Sequence, residues 1–114
     1  MRAPAHRQVD SVFGALADPT RRRVVETLAR GGTVTASTLA EQLPITRQAV
    51  TKHLSALRGA DLVTSTRVGR ETRYQLRPQP LDQAAEWIQM VGAEWDGRLD
   101  ALRRSVESRR SDAR

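Results

Sequence analysis

Residues 45–63 read ITRQAVTKHLSALRGADLV. This is one amphipathic helix running into a strand. Val50, Leu54 and Leu57 recur at helical spacing and make an inward stripe. Opposite them stand Arg47, Gln48, Thr51, Lys52 and Ser55, with His53 at the edge. That outward set contains no acid and is rich in bidentate and hydroxyl hydrogen-bonding groups. The helix is expected over 46–59, with Thr46 as its N-cap and Gly59 weakening its end.

Upstream, STLAEQL at 37–43 is a short helix with Leu39 and Leu43 inward. Ser37 or Thr38 is expected to cap it, and Thr38 with Glu41 has capping-box spacing. Pro44 forces the preceding residue out of the helical region. Two short helices are thus joined through Pro44-Ile45-Thr46, the pattern of a helix-turn-helix. Helical hairpins are common, so the following segment matters.

That segment, LVTSTRVGRETRYQL, reads as a β-hairpin over 62–77. A two-residue loop led by Gly69 suits a type II′ turn and sets the register. Val63 then faces Leu76, and Ser65 faces Tyr74. Arg67 and Arg70 gather at the tip, with Arg73 lower on the second arm. A hairpin directly after a helix-turn-helix is a wing, and a basic wing is more specific than either part.

Before this centre, residues 1–7 read as a loose basic arm. Val9, Val12, Phe13 and Leu16 form a first amphipathic helix. Asp18-Pro19 ends it and opens the next, with Asp as N-cap and Pro in the first turn. Val24, Val25 and Leu28 face inward there, Gly31-Gly32 closes it, and TVTA at 33–36 is a short strand. After the hairpin comes one long helix, expected over 80–108. Leu81, Ala84, Ile88, Val91, Trp95, Leu99, Leu102 and Val106 keep its stripe. So long a stripe cannot be buried on so small a head. Its excess needs a partner, most simply a second copy across a two-fold axis.

Composition narrows the function. The 114 residues fit one domain, taken as 8–110. There is no cysteine, which removes disulfides, thiolate metal sites and a cysteine nucleophile. No apolar run is long enough to span a membrane, and the first residues lack a secretion signal, so a soluble protein of the cytoplasm, at the nucleoid, is expected. The net charge is +6, and it is unevenly spread. Residues 42–80 hold seven basic and two acidic side chains, whereas 81–100 hold one basic and five acidic. One segment is suited to a large anion, and nucleic acid is the commonest such partner.

The chain resembles the ArsR-type winged-helix repressors. ALADPTRRRVVETLA, LAEQLPITRQAVTKHLSALRGADLV and VGRETRYQL carry the likeness, which covers roughly residues 9–105. Its most specific part is the V-x-x-H-L-x-x-L helix, here Val50, His53, Leu54 and Leu57. The resemblance implies a mainly α fold with a small β-hairpin, a winged helix-turn-helix dimerised through its first and last helices. It implies a homodimer that represses transcription by occupying an operator. The expected interface residues are Val9, Val12, Phe13, Leu81, Ile88, Val91, Trp95, Leu99 and Leu102. The family's founding members sense metals through a cysteine pair in the third helix. The matching LAEQL has none, and the last helix has no histidine. No metal or other cofactor is expected.

On that frame each polar residue acquires a role. The N-terminal half of a reading helix enters the major groove most deeply. Arg47 can grip guanine and Gln48 adenine, each through two hydrogen bonds, while Thr51 offers a hydroxyl and a methyl. Thr46 caps the helix and can touch phosphate, and Lys52 and Ser55 flank the backbone. An ordinary solvated face is the plainer alternative for these residues. His53 either contacts DNA or packs half-buried with a local hydrogen bond. Arg67, Arg70 and Arg73 would follow the DNA backbone or enter a narrow minor groove, or simply keep the hairpin soluble.

Other features are discounted. Arg21, Arg22 and Arg23 open a helix, where positive charge opposes the macrodipole. Pairing of at least one with Asp18 or Glu26 is expected. Trp87 and Trp95 are expected in core or dimer packing, and Asp96 with Asp100 as wet surface answering Arg103 and Arg104. The expected partners are double-stranded DNA and a second copy. The rival reading is a winged-helix adaptor for other proteins. An enzyme is not expected, because only His6 and His53 could serve as near-neutral bases.

Overall fold

A computed structural model of the chain describes residues 3–112, with side chains described over 8–111. In chain order the elements are α1 (Ala3–Leu16), α2 (Pro19–Gly31), β1 (Thr33–Thr35), α3 (Ala36–Gln42), α4 (Arg47–Gly59), β2 (Val63–Val68), β3 (Glu71–Leu76) and α5 (Pro78–Asp112). Helix therefore reaches back to Ala3, into the stretch expected as an arm, and residues 1 and 2 lie outside the described ones. The chain forms two compact units, one up to Ala84 and one from Ala85 onward.

The first unit is the winged head. Val12, Val24, Leu28, Leu39, Val50, Leu54, Leu57 and Leu62 are nearly or wholly buried and form its core. Each helix contributes a stripe at 3–4 spacing, so polar side chains fall outward. Val12, expected at a dimer interface, is 0% exposed within the head itself. Leu81 is half-buried against the same core, as is Phe13. Within one chain, Val12 is wholly taken up by the core of the head.

Local chemistry sets the element ends. Asp18 caps α2, accepting from the amides of Thr20 at 2.7 Å and Arg21 at 3.2 Å. The Arg21 amide holds its carboxyl below the ordinary carboxylate value, against an opposing effect of burial, with the Thr20 amide adding to the lowering. The arginines behind this cap form no ion pair with Asp18 or Glu26 among the described residues. Instead Arg21 Nη1 donates to the carbonyl of Ala15 at 3.4 Å, and Arg22 Nη1 to that of Leu16 at 2.6 Å. These are carbonyls at the end of α1 without helical partners of their own. Cations at the unfavourable start of one helix thus sit on the favourable end of another.

The cap of α3 also differs from expectation. Thr35, in extended conformation, accepts from the Thr38 amide at 3.1 Å, and the two hydroxyls lie 3.0 Å apart. Burial of Ala36 draws the helix start forward, so Ser37 and Thr38 fall inside it. At the far end of α4, Asp61 adopts φ 59°, the left-handed region. The Leu62 amide reaches the Leu57 carbonyl and the Asp61 amide that of Arg58, both at 3.0 Å. This is a Schellman closure in which Asp61 holds the position that glycine favours.

The sheet runs β1-β3-β2, all antiparallel. Val63 pairs with Leu76 and Ser65 with Tyr74, in the expected register, and β1 adds Val34 opposite Tyr74. Gly69 has φ 64°, and Arg70 is not at positive φ, which identifies the type II′ loop.

The second unit is the remainder of α5. This helix is continuous for 35 residues, longer at both ends than the expected 80–108. Ala84 is its last buried residue, and positions 85–111 are all exposed. No described helix is long and apolar enough to cross a membrane.

Candidate nucleic-acid interface

α3 and α4 form the helix-turn-helix. The Leu43 amide bonds back to Leu39, and the Ile45 amide to Leu43, turning the chain tightly into Thr46. Thr46 has φ −72° and ψ 158°, and its hydroxyl oxygen accepts from the Ala49 amide at 3.1 Å. Its own hydroxyl hydrogen remains free to donate outward. The first amides of α4, at Arg47 and Gln48, have no helical acceptor and suit a phosphate oxygen.

With Val50, Leu54 and Leu57 fixed in the core, the opposite side of α4 must face outward. Arg47, Gln48, Thr51, Lys52 and Ser55 are all exposed. Among the described residues the side chains of Arg47, Gln48, Lys52 and Ser55 have no hydrogen-bond or ionic partner. Thr51 differs, because its hydroxyl donates to the Arg47 carbonyl at 3.0 Å. What it can present outward is an acceptor lone pair and a methyl group. His53 is half-buried, and its Nδ1 accepts from Arg21 Nε at 3.4 Å. The bond joins α4 to α2, between residues 32 positions apart in sequence.

The wing arginines separate into three environments. Arg70 stands at the tip, exposed and without a partner among the described residues. Arg67 Nε donates to the Gly69 carbonyl at 3.4 Å, which steadies the guanidinium along the hairpin. Arg73 is bound to Glu71, with Nη2 at 3.3 Å and Nε at 3.4 Å from Oε2. Its charge is partly matched within the strand, so it is less available than sequence implied. Both partners are well exposed, which keeps the pair weak and breakable.

α4 and the wing converge on one open groove of about 420 Å³. Arg47 and Thr51 line it from the helix, and Arg67, Arg70, Glu71, Thr72 and Tyr74 from the hairpin. Thr35, Ala36 and Ser37 close the side at the start of α3. Gln48, Lys52, His53, Ser55 and Arg73 are not part of this lining. Thr35, Ser37 and Thr72 also line the groove, although sequence gives none of them a role in contacting DNA. The signal available was the run TAST at 35–38, small hydroxyl residues beside a helix start, which is where phosphate oxygens are held. The groove is electropositive at its rim and hydroxyl-rich at its wall, with Glu71 its single acid.

Among the described residues no three His, Cys, Asp or Glu side chains gather to hold a metal ion. The residues present do not fit the cysteine site of the metal-sensing regulators. Asp100 lies 4.0 Å from Arg103 on the exposed helix, a loose surface pair.

Comparison with known proteins bears on this geometry. A helix-turn-helix domain family model matches residues 16–66. The transcriptional repressor SdpR of Bacillus subtilis (strain 168) is 32% identical over 80 residues, spanning 70% of this chain and 88% of SdpR. Among solved structures, an ArsR-like transcriptional regulator from Rhodococcus sp. RHA1 superposes with a TM-score of 0.74 at 44% identity, covering 85% of this chain and 91% of its own. A homodimeric winged helix-turn-helix DNA-binding domain from Mycobacterium bovis, a possible ArsR-family transcriptional regulator, superposes at 0.65 with 26% identity, covering 82% and 85%.

Proposed function

The chain belongs to the ArsR family of winged helix-turn-helix transcriptional regulators, and from that membership we propose that it is a homodimeric repressor acting on a palindromic operator. The family is a DNA-binding class without enzymatic chemistry. One observation carries the finer reading. Arg47 and Thr51 of α4 and Arg67 and Arg70 of the wing flank a single groove. A duplex laid there meets the helix in its major groove while the hairpin follows the adjacent backbone or minor groove.

In this arrangement Arg47 and Gln48 read base edges, and Thr51 offers its methyl and lone pair to a neighbouring base. Thr46, the free amides of α4, Lys52 and Ser55 hold phosphates and fix the register. Arg70 reaches furthest along the wing, with Arg67 behind it. Arg73 joins once phosphate draws it from Glu71. A second copy would repeat this unit about 34 Å away, one turn of B-DNA, on the same face of the duplex.

The test is selection of bound sites from a random duplex pool, followed by affinity measurements on the winner across a salt series. A two-fold symmetric site is expected, with log affinity falling against log salt by about 0.9 per phosphate neutralised. Salt-insensitive or absent DNA binding would replace this reading with that of a protein-interaction adaptor.

A further inference from the structure

Tyr74 is the chain's single tyrosine, and it lines the groove between α4 and the wing. It pairs with Val34 of β1 on one side and Ser65 of β2 on the other. Cross-strand partners share a sheet face, and here that face turns to the core of the head, with Tyr74 and Val34 half-buried against it. A phenylalanine would serve that packing equally, so the hydroxyl is left over. Among the described residues it has no hydrogen-bond partner, and no buried side-chain oxygen lacks one. The hydroxyl therefore reaches solvent, and the open space that Tyr74 borders is the groove.

The lining of the groove divides by depth. Arg47, Thr51, Arg67 and Arg70 are exposed and form its rim, whereas Thr35, Thr72 and Tyr74 are half-buried and form its floor. A duplex held loosely meets the rim, where long guanidinium side chains follow phosphate over many positions. Only a duplex seated against α4 brings a phosphate down to the floor.

We propose that the Tyr74 hydroxyl is a seating contact: it donates to a phosphate oxygen of a duplex lodged fully in the groove, and not to one held at the arginine rim. This rests on the DNA-binding reading above and adds a residue to it. A tyrosine has few side-chain torsions to order, and packing has already fixed this ring, so the contact loses little entropy on binding. β3 is the central strand, paired on both sides, so the hydroxyl cannot follow a phosphate that lies out of register. An arginine at the rim can. The two kinds of contact also differ in charge. A cationic side chain that neutralises a phosphate releases counterions and steepens the salt dependence, whereas a neutral hydroxyl fixes position without doing so.

The test is Tyr74→Phe in the full chain, which keeps the ring and removes the donor. Affinity is measured on the selected operator and on a duplex of unrelated sequence, each across a salt series. The operator is expected to bind about tenfold more weakly to a dimer, about threefold from each copy's contact. Its salt slope should be unchanged, and the unrelated duplex should bind as it does to the parent. Arg70→Ala supplies the opposite signature, weakening both duplexes and lowering the slope. Thermal unfolding of Tyr74→Phe without DNA should match that of the parent. Unchanged operator affinity, equal weakening of both duplexes, a lowered slope or a less stable free variant each overturns the seating contact while leaving DNA binding standing. Absence of salt-sensitive DNA binding by the unaltered chain overturns the DNA-binding reading itself and this proposal with it.

Discussion

Arg21 Nε donates to Nδ1 of His53 across 3.4 Å, pinning α2 to the helix that carries the outward polar face. The same guanidinium holds the Ala15 carbonyl, so one side chain links α1, α2 and α4. Both Arg21 and His53 are half-buried, where such a bond resists solvent better than a surface contact. His53→Ala and Arg21→Ala are each expected to destabilise the head by about 0.5–1.5 kcal/mol. A double-mutant cycle on denaturant unfolding should show coupling between them. Independent, additive losses would mean that the bond contributes nothing. The base preference of His53→Ala should match that of the parent.

Arg47 and Arg70 are expected to fail in different ways. Arg47→Ala should relax base preference at one position per half-site, by about 1–3 kcal/mol. Arg70→Ala should weaken all duplexes alike and lower the salt slope by about one. Competition against a panel of single-base operator variants, repeated at several salt concentrations, separates the two. If Arg47→Ala left both affinity and preference unchanged, the helix would enter the groove in another orientation.

Asp18 makes the head acid-sensitive in a defined direction. Its folded-state carboxyl is lowered, chiefly by the Arg21 amide that it accepts from. A lowered folded value means that this contribution to stability is fully present above the ordinary carboxylate value of about 4. It is lost as pH falls below that value and through the folded one. Thermal unfolding followed from pH 7 to pH 3 should show the parent losing stability across the acid range. Asp18→Asn, which keeps a capping oxygen without a titrating group, should lose less there. An identical acid profile for both proteins would remove Asp18 from the account.

Asp61 occupies a left-handed conformation that costs most residues about 1–2 kcal/mol. Asp61→Gly should relieve part of that cost, raising unfolding stability by up to about 1 kcal/mol. Asp61→Val should lower it. Chemical denaturation of the two variants side by side checks the sign. A destabilised glycine variant would show that the aspartate side chain supports the turn itself.

Much of this architecture was legible in short-range pattern. The wing was readable because a two-residue loop with Gly69 leaves a single register, and that register pairs Ser65 with Tyr74. The outward set on α4 was readable because three apolar residues at helical spacing dictate which side remains. Contacts that join distant segments left no such trace. Nothing in the sequence joins Arg21 to His53, which lie 32 positions apart. The cap at Thr35 was displaced by burial of Ala36, a tertiary demand that local capping patterns do not encode. Val12 belongs to the core of one chain because the head closes over it, whereas periodicity alone reads it equally as an interface residue. The groove was legible in its arginines and only faintly in its hydroxyl wall, where Thr35 and Thr72 come from neighbouring strands and Ser37 from the start of α3.

Thr35 is at once the last rung of β1, opposite Arg73, and the residue that opens α3. No slack lies between the sheet and the first helix of the helix-turn-helix. The hairpin and the helix-turn-helix therefore share a joint: a tilt of β3 would carry Thr35 and the start of α3 with it. If the proposed docking holds, a duplex that does not fit the wing would be felt at α4 as well, although the wing does not touch the bases beneath that helix.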